Sequence, residues 1–255
     1  MKYKGLRRFF VEEIQAENGS CSITGSEARH ITKVLRMRKG NRFILMDGKG
    51  SRFVALIKSA STREVHLSLE EPLPNPPASP VEIILCQSLL KSRAMDYLVQ
   101  KVSELGANCI IPYSSKRTVV RLDKNGASNR MRHWREIANN AAKQSDRSSP
   151  AEIPSCQPFQ ELLSKWSDGE VLKTILWEEE GTKDLKRVLR SSPPMRTFIG
   201  IVGPEGGFAY EEIEAARNAG FLPISLGRRL LRSETAAVAI VAIVQYEWGD
   251  LGLGI

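Results

Sequence analysis

Residues 197–246 decide the fold, because they contain two glycine-bearing turns, each behind a short apolar segment. The first reads Phe198-Ile199-Gly200-Ile201-Val202-Gly203-Pro204-Glu205-Gly206-Gly207-Phe208, and the second reads Pro223-Ile224-Ser225-Leu226-Gly227-Arg228-Arg229-Leu230-Leu231-Arg232-Ser233-Glu234-Thr235. Short apolar segments that end abruptly at Gly or Pro are typical of buried strands. Ligands of open α/β sheets lie beyond the carboxyl ends of the strands, so the two turns predict a ligand site.

The rest of the chain beyond residue 80 alternates between apolar and amphipathic segments. The apolar segments predict strands at 81–87, 109–112, 171–177, 198–202 and 222–226. The amphipathic segments predict helices at 92–105, 129–144, 159–166, 184–189, 210–218 and 234–248. This alternation predicts a parallel sheet covered by helices on both faces, and thus an α/β fold.

The N-terminal part follows a different pattern, with five predicted strands and one helix. The strands are expected at 7–12, 21–23, 41–46, 52–58 and 65–69, and Thr24-x-x-Glu27 predicts a capping box that opens the helix. Such a pattern favours a small, partly closed β-barrel of a kind that often binds RNA. Five prolines between Pro72 and Pro80 predict a stiff linker. The predicted division is therefore a domain at 1–72, a linker at 73–80 and a domain at 81–255.

Positive charge is concentrated in the first predicted domain. The chain has 37 Lys and Arg against 29 Asp and Glu, a net charge of +8, and residues 1–72 hold 14 of the former and 8 of the latter. Six of these basic residues lie between Arg29 and Arg42, with no acidic residue among them. Taken alone, such a run would favour a solvated helix face, but phosphate binding gains support because the same run supplies most of the charge asymmetry.

Several classes of site are excluded or disfavoured by what the sequence lacks. It contains no GxxxxGK[ST] motif and no GxGxxG after its first strand, which argues against a P-loop NTPase and a dinucleotide-binding fold. The 4 Cys and 3 His residues are scattered, so we expect no metal site and reduced, inert thiols. The longest apolar run, residues 236–244, is too short to span a bilayer. With no signal peptide before Arg7, the expected location is the cytoplasm.

The two glycine-bearing turns together resemble the C-terminal signature of the SPOUT methyltransferases, and within that superfamily the RsmE family. Further matches are Arg7-Arg8-Phe9-Phe10-Val11, His30-Ile31-x-Lys33-Val34-Leu35-Arg36, Lys91-x-x-x-Met95-Asp96-x-Leu98-Val99-Gln100-Lys101-x-x-Glu104-Leu105-Gly106 and Gln144-Ser145-x-Arg147. The resemblance covers nearly the whole chain. Arg228 departs from it, since a small residue or proline is expected there.

This resemblance implies a fold and an activity that periodicity alone does not give. It implies an N-terminal PUA-like β-barrel, a C-terminal SPOUT α/β domain with a parallel sheet and a deep trefoil knot, and a homodimer. It also implies that S-adenosylmethionine is the methyl donor. The substrate of the family is N3 of a uridine in the 16S ribosomal RNA of the small subunit.

Candidate site residues follow from the resemblance together with the chemistry of methyl transfer. The expected cofactor-binding residues are Leu176, Gly203, Pro204, Glu205, Gly206, Leu226, Gly227 and Leu231. Arg232 is expected to hold the uracil carbonyl or the developing imide anion, with Glu234 or Glu205 assisting loss of the N3 proton or orienting Arg232. The expected RNA-binding residues are Arg7, Arg8, Arg29, Lys33, Arg36, Arg38 and Arg147, with Gln144 as a further hypothetical contact.

Plainer interpretations remain open for some of these residues. The leucines could be ordinary core, and Glu234 could be an acid favoured by the positive end of a helix dipole. Two other functions also fit the sequence. One is a SPOUT methyltransferase that acts on another RNA, such as a transfer RNA, and the other is a non-catalytic RNA-binding factor in ribosome assembly.

Overall fold

The structure is a computed structural model that describes residues 5–11, 13–16, 18–48, 50–121, 124–166 and 169–252. These residues form two compact units. The first comprises residues 1–77 together with 142–150, and the second comprises residues 78–141 and 151–255. The predicted boundaries at residues 72 and 81 stay a prediction about where independent domains begin and end.

The first unit is built on a five-stranded sheet. Its strands are β1 (Arg8–Phe10), β2 (Ser20–Thr24), β3 (Arg42–Met46), β4 (Arg52–Ala60) and β5 (Glu64–Pro72). Their order across the sheet is β1-β3-β4-β5-β2, with β1 and β3 parallel and the other pairs antiparallel. All five predicted strands are thus present. Glu12, the last residue of the first predicted strand, lies outside the described residues.

The helix that follows β2 changes its geometry midway. Helix α1 (Gly25–Arg29) continues directly as a π-helical turn (His30–Val34), with buried Ala28 and Ile31 facing the core. The predicted capping box is wrong, because the Thr24 side chain makes no capping hydrogen bond. Arg36, just beyond the turn, has φ +53°, a left-handed conformation that is uncommon for a residue with a side chain.

Residues 142–150 complete the first unit through a buried arginine. The side chain of Arg52 is 7% exposed, and its Nη2 donates to Asp146 Oδ1 over 2.6 Å. Arg8 Nε donates to the same oxygen, also over 2.6 Å. Lys143 pairs with Glu27 in the same unit at 3.1 Å. Ion pairs therefore attach this short segment to the sheet.

The second unit contains a six-stranded sheet in which every pair is parallel. Its strands are β6 (Glu82–Ser88), β7 (Cys109–Ser114), β8 (Gln157–Pro158), β9 (Val171–Leu176), β10 (Thr197–Val202) and β11 (Leu222–Ile224). The order across the sheet is β11-β9-β10-β6-β7-β8. The two-residue strand β8 was not predicted, because an apolar period cannot be recognised over two residues.

Six helices accompany this sheet in the described part of the chain. They are α2 (Ser92–Glu104), α3 (Lys124–Ser145), α4 (Phe159–Leu163), α5 (Leu185–Ser191), α6 (Tyr210–Asn218) and α7 (Ser233–Glu247). Each matches a helix predicted from the sequence, although α3 begins earlier and α4 ends earlier than expected. Arg232 occupies the N-cap position of α7, and Ser233 is its first helical residue.

The parallel sheet separates two apolar cores, as the alternation predicted. Along β6, Ile83 and Leu85 point into a cluster formed with α2, α3 and α7, whereas Ile84 and Cys86 point into a cluster with α4 and α6. Successive strand residues point to opposite faces, so a strand buried on both sides is apolar throughout. The α/β class is therefore confirmed, while the trefoil knot stays a prediction.

Candidate functional site

The first glycine-bearing turn begins where β10 ends, at Val202. Position 203 has no room for a side chain, because a Cβ there would lie 2.8 Å from the ring of Phe208. Gly207 has φ +68°, and its N–H donates to the Pro204 carbonyl over 3.0 Å, which closes the turn. Glu205 and Gly206 are exposed at its tip. The glycines thus permit a tight turn that presents main chain beside the sheet edge.

The second turn begins at the end of β11 and is held only at its start. Ser225 N donates to the Lys183 carbonyl over 2.9 Å, and Leu185 N donates to the Ser225 carbonyl over 3.0 Å. Beyond Ser225, the main-chain groups of residues 226–231 make no hydrogen bond within the described part of the chain. Gly227 there has φ +103°, with open space where a Cβ would be. These main-chain groups are available to a ligand.

Both turns leave the same edge of the sheet. In the strand order, β9 lies between β10 and β11, and Ile224 of β11 pairs with Leu176, the last residue of β9. Leu176 and Leu226 are partly buried against one apolar cluster. Leu231 is more exposed than these two leucines, with 38% of its surface accessible to solvent. The structure therefore gives the predicted leucines two different environments.

The third element of the site is the start of α7. Arg232 is the exposed N-cap residue, and Glu234 lies in the first turn. Between them, Ser233 Oγ donates to the carbonyl oxygen of Gly203 over 2.5 Å. This bond joins the segment that carries Arg232 and Glu234 to the glycine turn that carries Glu205. The sequence analysis missed this role of Ser233.

Two buried side chains that the sequence analysis missed also support the glycine turn. Tyr113, at the end of β7, donates from its hydroxyl to the Val202 carbonyl over 2.8 Å. Gln87, near the end of β6, donates from Nε2 to Ser233 Oγ over 3.0 Å. The signal in the sequence was Gln87 itself, a polar residue inside the apolar run of β6, because a buried amide needs hydrogen-bond partners.

The loop after β7 also contacts the glycine turn and the start of the helix that follows it. Arg117 Nη1 donates to the Gly206 carbonyl over 3.0 Å, and Lys116 N donates to Glu212 Oε1 over 2.9 Å. The second oxygen of Glu212 accepts from Ala209 N, also over 2.9 Å. Ser88 and Thr118 are joined through their hydroxyls at 2.9 Å. Side chains thus hold the glycine turn at three carbonyls, those of Val202, Gly203 and Gly206.

The predicted RNA-binding residues all lie in the first compact unit. Arg7, Arg29, Lys33, Arg36 and Arg38 are exposed. The side chain of Arg8 is 25% exposed and pairs with Asp146, while Arg147 is half-buried. Arg29 and Arg63 line an open cavity of about 390 Å³ together with Gly25 and Thr62. The exposed members therefore present charge to solvent, while Arg8 is engaged within the unit.

The cysteine thiols and the possible metal ligands are the other reactive side chains of the chain. All four cysteines are free. Burial raises the pKa of the Cys109 thiol to about 12, with Glu152 and Glu82 adding to the shift. Among the described residues, no cluster of three or more His, Cys, Asp or Glu side chains is arranged to hold a metal ion. No helix in the described ranges is long and apolar enough to cross a membrane.

Comparison with known proteins assigns a family to each part of the chain. Residues 77–245 match the RNA methyltransferase domain family, and residues 23–70 match the RNA methyltransferase PUA domain family. Ribosomal RNA small subunit methyltransferase E from Bacillus subtilis is 29% identical over 250 residues, which cover 95% of this chain and 97% of that protein.

Two solved structures are similar over nearly their full length. A methyltransferase from Legionella pneumophila, solved with the cofactor SAM bound, is 30% identical with a TM-score of 0.89, covering 96% of this chain and 99% of that chain. Ribosomal RNA small subunit methyltransferase E from Neisseria gonorrhoeae, bound to S-adenosyl methionine, is 31% identical with a TM-score of 0.86 and the same coverage. The chain belongs to the ribosomal RNA small subunit methyltransferase E (RsmE) family.

Proposed function

We propose that this protein transfers the methyl group of S-adenosylmethionine to N3 of a uridine in the 16S ribosomal RNA of the small subunit. The observation that carries the proposal is similarity over both parts of the chain, 31% identity across 96% of its length, to a small-subunit methyltransferase E bound to S-adenosyl methionine. That similarity supports the cofactor and the RNA. The choice of N3 follows from the resemblance of the sequence motifs to the family.

The residues at the sheet edge fit S-adenosylmethionine. An adenine ring needs main-chain donors and acceptors along its edge and apolar contacts on its faces. The unpaired main-chain groups of residues 226–231 supply the former, and Leu176 and Leu226 supply the latter. We assign Gly203, Pro204, Glu205, Gly206, Gly227 and Leu231 to the same site. When bound, the cofactor supplies an electrophilic methyl group on a sulfonium.

The protein's own contribution to the reaction is to prepare the uracil. Neutral N3–H is a poor nucleophile, so its proton must leave as the new N–CH₃ bond forms and the S–CH₃ bond breaks. We assign Arg232, exposed at the N-cap of α7, to hold the uracil carbonyl on which negative charge develops. Glu234 or Glu205 accepts the N3 proton or orients the guanidinium. The hydrogen bond from Ser233 Oγ to the Gly203 carbonyl holds the segment with Arg232 at the glycine turn, which helps to keep the reacting atoms in line.

RNA binding is assigned to the basic residues of the first unit. Arg7, Arg29, Lys33, Arg36 and Arg38 are exposed there and are suited to phosphate contacts, which provide affinity without sequence information. Arg8, Arg147 and Gln144 belong to the same assignment, with Arg8 held by Asp146.

We further propose a cytoplasmic homodimer that uses part of α7 as its interface. Apolar residues run around the whole helix, yet Val238, Ala239, Ala242 and Ile243 are only half-buried and Tyr246 is 66% exposed. An apolar helix side of this kind is favourable only when it is covered. A second copy of the chain would cover it.

The proposed function is tested by methyl transfer in vitro. Small subunits isolated from cells that lack the protein are incubated with it and with methyl-labelled S-adenosylmethionine, and the RNA is digested to nucleosides. Label in 3-methyluridine at one position supports the proposal. Label in transfer RNA or in another nucleoside would instead support a related methyltransferase, and cofactor binding without label would support an RNA-binding role.

A further inference from the structure

Gln87 occupies a central place beneath the site and makes contacts to two elements. It lies in β6 with its side chain fully buried, and it pairs in register with Val202, the residue before the glycine turn. Its Nε2 donates to the Ser88 carbonyl over 2.9 Å and to Ser233 Oγ over 3.0 Å. A primary amide has two N–H donors, and both are used here.

The second of these bonds begins a relay that crosses the site. Ser233 Oγ accepts from Gln87 and donates to the Gly203 carbonyl over 2.5 Å. A hydroxyl has one proton, so accepting from Gln87 directs that proton toward Gly203. Three elements, β6, the start of α7 and the glycine turn, are thus connected through one buried amide and one hydroxyl.

The other end of the Gln87 amide is unusual for a purely structural residue. Its Oε1 is buried and has no hydrogen-bond partner within the described residues. Leaving a buried acceptor without a donor costs stability, and an apolar side chain of the same shape would avoid that cost. A residue selected only to fill the core at this place would therefore be apolar, like its neighbours Leu85 and Cys86.

We propose that Gln87 is a positioning residue for methyl transfer, acting through Ser233 on the glycine turn and on the segment that carries Arg232 and Glu234. This inference rests on the proposed function, since it assigns these two segments to the cofactor and the uracil. Gln87 fixes the direction of the Ser233 hydroxyl, and that hydroxyl fixes the Gly203 carbonyl. Held in this way, the glycine turn and the segment with Arg232 keep one arrangement before the cofactor or the RNA binds.

The kinetic consequence is separate from stability. Loss of the relay frees the Gly203 carbonyl and the first turn of α7 to take other arrangements, so binding must order them. Cofactor affinity falls first, and kcat falls with it where the methyl group and N3 are no longer in line. A residue that only filled the core would alter unfolding without altering either quantity in the folded enzyme.

The test is Gln87→Met, a substitution of similar volume that removes all three polar functions. We expect the Kd for S-adenosylmethionine, measured by calorimetry, to rise by about tenfold or more, the equivalent of one lost hydrogen bond. We expect the melting temperature to change little, because removal of the unpaired Oε1 offsets the loss of the two hydrogen bonds that Nε2 donates. The matched control is Gln245→Met. Gln245 is also buried and hydrogen-bonded, to Gly106 and Ser79, but lies about 18 Å further along α7.

Gln245→Met is expected to lower stability and leave the Kd unchanged in the folded protein. The relay itself is tested at its second member. Ser233→Ala should raise the Kd as Gln87→Met does, and Ser233→Thr, which keeps the hydroxyl, should restore it. If Gln87 acts through Ser233, the double variant Gln87→Met with Ser233→Ala should be no worse than the more affected single variant.

Three results would overturn the inference. The first is that folded Gln87→Met has the wild-type Kd and kcat, and the second is that Gln245→Met loses as much affinity as Gln87→Met. The third is that the rise in Kd of the double variant equals the product of the rises in Gln87→Met and Ser233→Ala. Each of these results differs from failure of the proposed function. If the proposed function were wrong, the wild-type protein itself would bind no S-adenosylmethionine or would transfer no methyl group to small-subunit RNA.

Discussion

The hydroxyl of Tyr113 donates a hydrogen bond to the carbonyl oxygen of Val202 over 2.8 Å, with both residues buried. Burial raises the pKa of Tyr113 well above its ordinary value, so this hydroxyl stays protonated and remains a donor. Val202 is the last residue of β10, and Gly203 follows it directly. A side chain from β7 therefore sets the direction in which the main chain enters the glycine turn.

Tyr113→Phe is expected to weaken this anchoring without creating a cavity. The buried Val202 carbonyl would lose a partner, at a cost of about 1–2 kcal/mol in the free energy of unfolding. Denaturant titration would measure the change. Tyr210→Phe is the control, because Tyr210 is 63% exposed and should be insensitive. Equal stability of the two variants would show that the Tyr113 hydrogen bond does not stabilise the turn.

Arg232→Ala is expected to abolish most of the turnover while leaving the fold intact. The side chain is exposed, so little stability depends on it, whereas loss of a group that stabilises developing charge costs about a hundredfold in kcat. Steady-state methyl transfer gives the measurement, with circular dichroism to check folding. Arg229→Ala removes an exposed arginine from the same loop and serves as the control. Full turnover in Arg232→Ala would contradict the role assigned to Arg232 in the reaction.

Asp146→Asn is expected to destabilise the first unit. The substitution keeps an acceptor and the tolerance for the φ of +58° at this position, but it removes the charge that balances buried Arg52. With Asp146 itself 42% exposed, solvent screening limits the loss to about 2 kcal/mol. Glu70→Gln, which removes the charge of the exposed Arg42–Glu70 pair, should have a much smaller effect on unfolding. Equal effects of the two substitutions would argue against the buried pair as a stabilising element.

Alkaline pH is expected to destabilise the protein partly through Cys109. Its pKa in the folded state is about 12, while an unfolded thiol titrates near about 8.5, so above that pH the unfolded state loses the proton first. Stability is then complete below the unfolded pKa and falls as pH rises toward 12, by at most about 1.4 kcal/mol per pH unit. Cys109→Ala should flatten the decline between pH 9 and 11. An unchanged slope would contradict the burial of this thiol.

Ala242→Glu is expected to separate the proposed dimer. Ala242 lies half-buried on the side of α7 that also bears Tyr246, and a charge there would be costly in an apolar interface. Light scattering should give a dimeric mass for the wild-type protein and half that mass for the variant. A monomeric wild-type protein would contradict the interface.

The elements were predictable because their signals are local. Alternation of apolar and amphipathic segments predicted the parallel sheet, and abrupt glycines predicted the turns after β10 and β11, although β11 ends at Ile224 and not at the expected Leu226. The supporting contacts were not predictable, because Gln87 and Ser233 are 146 residues apart in sequence and their bond depends on the final packing. The Arg8–Asp146 pair spans 138 residues and escaped prediction for the same reason. The expected capping box failed because Thr24 ends β2 as well as preceding α1.

The methylation state of 16S ribosomal RNA in cells tests the proposed function of this protein. RNA from cells with the protein, without it, and with only Arg232→Ala would be compared by mass spectrometry and by primer extension. Primer extension reports this modification because a methyl group on N3 blocks base pairing. We predict one uridine whose N3 methyl group is absent without the protein, returns with the wild-type chain and stays absent with Arg232→Ala. The same 16S methylation in all three cells, or a methyl group at another atom of the nucleotide, would contradict it.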